Sequence, residues 1–149
     1  MEPYRQSLRD FERKGVQNQN RVWTSREELL DLGLTSERLK EFLPKLPDDP
    51  AKANSAVYLY QRIIFCYLGS RLDAVPRYQP GLILVARDHL APLSPEAVAE
   101  GLTWLRDKNV LKAYQHRTEA GERVIEITVN LAWALFREPK VKAIAESTY

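Results

Sequence analysis

Five residues within a twelve-residue stretch carry groups suited to binding phosphate: Lys112, Tyr114, His116, Arg117 and Arg123. Ammonium and guanidinium groups neutralise phosphate charge and need only be well placed to do so. They surround Gly121 in "KAYQHRTEAGERVIEITV", with Glu119 and Glu122 among them. Just upstream, "LTWLRDK" supplies Thr103, Arg106 and Lys108, residue types that reach base edges and phosphates. Arg71 and Arg87 flank the proline-rich stretch "DAVPRYQPG", which contains Arg77, and the three would extend a basic strip. Charged residues are also ordinary at a solvated turn, and that reading stands beside the functional one.

These residues need a frame. Ser94 is a strong N-cap and Pro95 suits a first helical turn, so a helix is predicted from Pro95 to about Lys108. Val98, Leu102 and Leu105 face inward, flanked by Ala97 and Trp104. Gly101 in mid-helix costs about 1 kcal/mol relative to alanine, which points to a close neighbour such as a crossing helix. The outer face carries Glu96, Glu100, Thr103, Arg106, Asp107 and Lys108. Its first half is acidic, and carboxylates near a phosphate backbone are repulsive. "NVLKAYQ" then reads as a strand. "VIEITVN" alternates, with Val124, Glu126 and Thr128 set against Ile125, Ile127 and Val129, and the two runs make a hairpin. "LILVA", Leu82 to Ala86, is a short buried strand.

The longest apolar segment precedes these elements. Asp49 and Pro50 start a helix that runs to about Leu72. Its apolar residues go nearly all the way round, so it must be buried on more than one side, as a central core helix or against a second subunit. Further upstream, Ser25 and Glu28 have capping-box spacing. A helix from Arg26 with Leu29, Leu30 and Leu32 inward would stop at Gly33. A second would run from Ser36 to Leu43. The pair reads as a miniature helix-turn-helix, more suited by its mixed charge to packing as a lid than to facing DNA. After the hairpin, Asn130 caps a last helix, "LAWALFRE", ended by Pro139, and "KVKAIAESTY" adds a final turn or helix.

From Asp49 to Asn130 the chain resembles the winged-helix superfamily. The resemblance is carried by "GLILVARDHLAPLSPEAVAEGLTWLRDKNVLKAY" and by the hairpin "KAYQHRTEAGERVIEITV". The segment is similar to the N-terminal domains of DnaD-type and plasmid replication proteins and to MarR-type regulators. The implied fold is mainly α with a small β-hairpin: a winged helix-turn-helix with an N-terminal helical extension. The implied organisation is a partly ordered arm over 1–24, a helical extension over 25–48, the winged-helix domain over 49–130 and a C-terminal helix over 131–149. "LTWLRDKNVL" would be the end of a recognition helix entering the wing. The expected DNA-contacting residues are Arg87, Thr103, Arg106, Lys108, Lys112, His116, Arg117 and Arg123. "RDHLAPLSP" departs from the pattern, since Pro92 and Pro95 leave little room for the helix that should precede the recognition helix.

Composition narrows the classes. The chain has 149 residues, 44% hydrophobic and 28% charged, which suits one globular domain with an extension. The net charge of +2 is unevenly placed: +3 over residues 1–26, −4 over 27–50 and +3 over 51–149. This permits local basic patches but not a strongly basic nucleic-acid coat. A polar start, one cysteine and no apolar run of membrane-spanning length fit a cytoplasmic protein. His89 and His116 lie at no metal-ligand spacing, there is no glycine-rich phosphate loop, and Cys66 sits inside the apolar helix. No enzyme and no cofactor are expected. Two readings of function therefore stand. The first is a DNA-binding transcription regulator or replication-initiation factor of a mobile element. It would act on double-stranded DNA as a homodimer joined through Tyr58, Phe65, Trp133 and Phe136. The second is a protein-interaction module within a replication or chromosome-organising complex.

Overall fold

The computed structural model describes residues 27–43, 45–72, 81–86, 90, 92–117, 119, 121 and 123–146. The expected arm over 1–24, the cap at Ser25, the loop carrying Arg77, and Arg87 lie outside them. Among the described residues a helical turn (Glu27–Leu30) precedes four helices and three strands. The helices are α1 (Ser36–Lys40), α2 (Pro50–Leu72), α3 (Pro95–Asp107) and α4 (Pro139–Ala145), and the strands are β1 (Leu82–Ala86), β2 (Leu111–Arg117) and β3 (Arg123–Val129). The strands form one antiparallel sheet in the order β1-β3-β2. The architecture is thus mixed α and β: the expected helices α2 and α3 and the hairpin are present, and β1 joins the hairpin to make a three-stranded antiparallel sheet. The reason is backbone chemistry. The apolar run Leu82–Ala86 must find partners for its amides, and it pairs with β3 from Leu82↔Thr128 to Ala86↔Val124. As the central strand, β3 buries Val124 as well as Ile125, Ile127 and Val129, so its alternation is less clean than the sequence implies.

The long helix α2 is the centre of the core. The Asp49 carboxylate accepts from the Ala51 amide at 2.9 Å and starts it as the Asp-Pro pair predicts. From Ala56 onward it is buried nearly all round, through Val57, Leu59, Tyr60, Ile63, Ile64, Cys66, Tyr67 and Leu68. It packs on α1, α3, α4 and β1. Each such side chain contributes on the order of 1.5–3 kcal/mol of burial free energy. Gly81 joins β1 to this helix. Its amide donates to the Tyr67 hydroxyl at 3.1 Å. Its φ of +84° and the Val129 carbonyl oxygen, 2.7 Å from where a Cβ would sit, leave room only for glycine.

The N-terminal elements pack as a lid. Leu29, Leu32, Leu39 and Leu43 are buried, but Leu30 is 59% exposed, against expectation. Helix α1 is capped by Thr35 and ends at Lys40 rather than continuing to Leu43. Arg38 is drawn inward: it donates to the Leu32 carbonyl at 3.2 Å and pairs with Glu138 at 2.5 Å.

The expected helix "LAWALFRE" does not form. Asn130 accepts from the Ala132 amide and donates to the Asn109 carbonyl. A short 3-10 turn then covers Ala134–Arg137, and Pro139 begins α4 instead of ending a helix. Trp133 donates its indole N–H to the Phe42 carbonyl. These local and tertiary bonds outcompete the helical ladder. Phe136 is 5% exposed and meets Tyr67 edge-on, with ring centroids 6.2 Å apart. Phe136 is therefore covered within the chain and offers no surface to a second copy, a correction to its expected contact role. Tyr58, Phe65 and Trp133 are half-buried.

Candidate nucleic-acid interface

The capped helix becomes a strand through one tight corner. Ser94 caps α3 by accepting from the Ala97 amide at 3.1 Å. At the other end the Val110 amide bonds the Leu105 carbonyl, and the Asn109 amide bonds that of Arg106, both at 2.9 Å. Asn109 takes a left-handed φ of 64°. This is a Schellman motif with asparagine in the position glycine commonly fills, closed by the buried pair Leu105 and Val110. It fixes the angle at which β2 leaves α3.

Residues Leu111, Ala113, Gln115 and Arg117 share one face of β2, and Lys112, Tyr114 and His116 share the other. The register places Arg117 directly opposite Arg123, Gln115 opposite Ile125 and Tyr114 opposite Glu126. Lys112, Tyr114, Gln115, Arg117 and Arg123 are exposed, and Tyr114 is 58% so, as one of two large hydrophobic side chains standing in solvent among the described residues. Arg117 donates weakly to the Gly121 carbonyl at 3.4 Å across the turn. Like charges directly opposite on a sheet destabilise it. This hairpin nevertheless ends in two arginines directly opposite one another on the same face of the sheet. Gln115 and Arg123 also line a small cleft with Val98 and Leu102, so this end of the hairpin lies over the first half of α3.

The other expected residues divide. Arg106, Lys108 and Lys112 are exposed around the α3–β2 corner, at the base of the hairpin. Thr103 is exposed but lies on the helix row that also holds Glu96, Glu100 and Asp107, at spacings of four, seven and eleven residues. It is not brought together with the cations. His116 lies on β2 opposite Val124. Arg87 lies outside the described residues. The facing arginines went unnoticed in the sequence, although two seven-residue strands closing symmetrically on the turn would have paired them.

Among the described residues no group of three His, Cys, Asp or Glu side chains is placed to hold a metal. Burial pushes the Cys66 thiol up to about 12, opposed by the nearby Arg62 charge, so it stays protonated in the core. No helix among the described residues is long and apolar enough to cross a membrane. Comparison with protein-family models, with curated proteins and with solved structures found no match to this chain.

Proposed function

We propose that the chain is a winged-helix DNA-binding protein whose wing, the β2–β3 hairpin, makes the principal phosphate contacts. The observation that carries this reading is the cross-strand pair Arg117 and Arg123, exposed at the hairpin tip. Supporting it are Lys112 and, at the corner below, Arg106 and Lys108. Lys112 and Tyr114 project from one face of the hairpin and Arg117 and Arg123 from the other, so the arginine pair meets the backbone at the tip and Lys112 joins Arg106 and Lys108 as a separate group of cations at the base. The order β1, α3, β2, β3 and the capped α3 support the winged-helix assignment. In this reading α3 contributes its last turn; its first half lies under the hairpin tip through Val98 and Leu102, and Glu96 and Glu100 stand on the opposite, outer side of the helix. The biological role is that of a transcription regulator or of an initiation factor for replication of a mobile element.

The test is fluorescence anisotropy with a labelled random-sequence duplex of about 20 base pairs at increasing salt. The expected result is saturable binding whose logarithm falls linearly with log salt, with a slope reflecting about three to five phosphate contacts. Absence of binding at low salt would refute the reading.

A further inference from the structure

We propose that a groove between the start of α2 and the outer face of α3 docks a basic amphipathic helix from a partner protein. The groove encloses about 700 Å³. Its walls are small or apolar, with Ala51 and Ser55 from α2, and Ala97, Gly101 and the half-buried Trp104 from α3. Small side chains on two facing helices leave space that larger side chains of a third helix can enter.

The walls are held in place before anything binds. Gly101 is the point of closest approach, where a Cβ would lie 2.6 Å from Leu59 Cδ2 and 3.9 Å from Ala56 Cα. That contact locks α2 against α3 in the core, so the groove does not have to form at the cost of ordering its own walls.

The rim chooses the occupant. Glu96, Glu100 and Asp107 line the groove, and among the described residues Lys52 is its only lysine or arginine. Lys52 lies 4.0 Å from Glu100, with both side chains more than half exposed, so it offsets one carboxylate and only weakly. The three acids lie on one row of α3 spanning eleven residues, about 16 Å. A helix carrying lysine or arginine at matching one-turn and two-turn intervals, beside an apolar stripe, complements both rim and floor. The same row repels a phosphate backbone, so this face and the hairpin address different partners. The inference stands independently of the DNA reading.

The experiment uses the full chain and a displayed library of 20-residue helix-forming peptides with randomised faces. Selection is run on the wild type, and clones are measured by titration against the wild type, Glu96→Lys/Glu100→Lys and Ser55→Trp. Circular dichroism melts confirm that both variants fold. The expected clones carry net positive charge and an apolar stripe at i, i+3 or i+4, and i+7. Their affinity falls at least tenfold on the charge-reversed variant and is lost when tryptophan fills the groove. Clones that are neutral or acidic, that bind all three proteins equally, or that fail to enrich would overturn the proposal. So would self-association of the wild type that Ser55→Trp abolishes, since it would assign the groove to a second copy of this chain.

Discussion

The outer face of α3 and the β2–β3 hairpin adjoin in sequence and carry opposite charge. One presents Glu96, Glu100 and Asp107 on a single helix row. The other presents Lys112, Arg117 and Arg123 on two paired strands. A Schellman corner at Asn109 joins them rigidly. A fold of this kind can offer either its helix or its hairpin to a partner, and topology is the same in both cases. Charge decides between them: phosphate is attracted to the hairpin and repelled by the first half of the helix. Both regions hold close like charges: Glu96 and Glu100 stand one helical turn apart, and Arg117 and Arg123 are paired across the hairpin.

Leu105 is fully buried and anchors the motif that joins the two regions. Leu105→Ala is expected to cost about 3 kcal/mol in chemical denaturation. Because one anchor serves both faces, peptide docking and DNA binding should weaken together as the folded fraction falls. A variant with wild-type stability would show that the corner does not unite them.

A smaller effect tests the shared support. Both regions pack directly or through α3 on α2, whose Cys66 thiol is pushed up to about 12 from an ordinary 9.0 by burial. Because the folded value is raised, its contribution to stability is complete below pH 9 and is lost as pH climbs toward 12. Over that window the unfolded chain releases a proton that the folded chain retains. The expected slope is about 1.4 kcal/mol per pH unit from this group. Burial likewise raises Tyr60 and Tyr67, and for Tyr67 the Arg71 charge and the Gly81 bond oppose the shift. Melts of the wild type and Cys66→Ala from pH 8 to 11 should show the variant losing less stability as pH rises, and parallel curves would contradict the assignment.

The smallest effect sharpens the contrast most. Arg123→Thr removes the cross-strand repulsion and is expected to raise stability by a few tenths of a kcal/mol while lowering DNA affinity. A variant that is both less stable and undiminished in binding would assign Arg123 a structural role.

Much of this frame was legible in the sequence because its signals are local. Asp49-Pro50 and Ser94-Pro95 mark two helix starts, and Gly101 marks the crossing with α2. The alternation of β3 and the glycine-bearing turn mark the hairpin. The segment after Asn130 misled, because Pro139 suits both the end of one helix and the first turn of the next. What decided it was a bond from Trp133 to Phe42, ninety-one residues away. Leu30 misled because Leu29 takes the buried side and Leu30, about 100° further round the helix, does not share it. The candidate site was legible as a set of cations but not as a geometry. The facing arginines depend on strand register, and the division of Thr103 from Arg106 and Lys108 depends on helix phase.

The account rests on the hairpin, and not the first half of α3, bearing on DNA. The most direct measurement is duplex affinity against salt for the wild type, Arg117→Glu/Arg123→Glu and Glu96→Lys/Glu100→Lys, at matched folded fractions. The account predicts at least a hundredfold loss for the arginine reversals at about 100 mM salt, with the slope of log affinity against log salt flattened by about two. It predicts less than a threefold change for the glutamate reversals. Equal binding by the wild type and the arginine-reversed variant, with a strong gain on reversing the glutamates, would contradict it and move the contact to the helix.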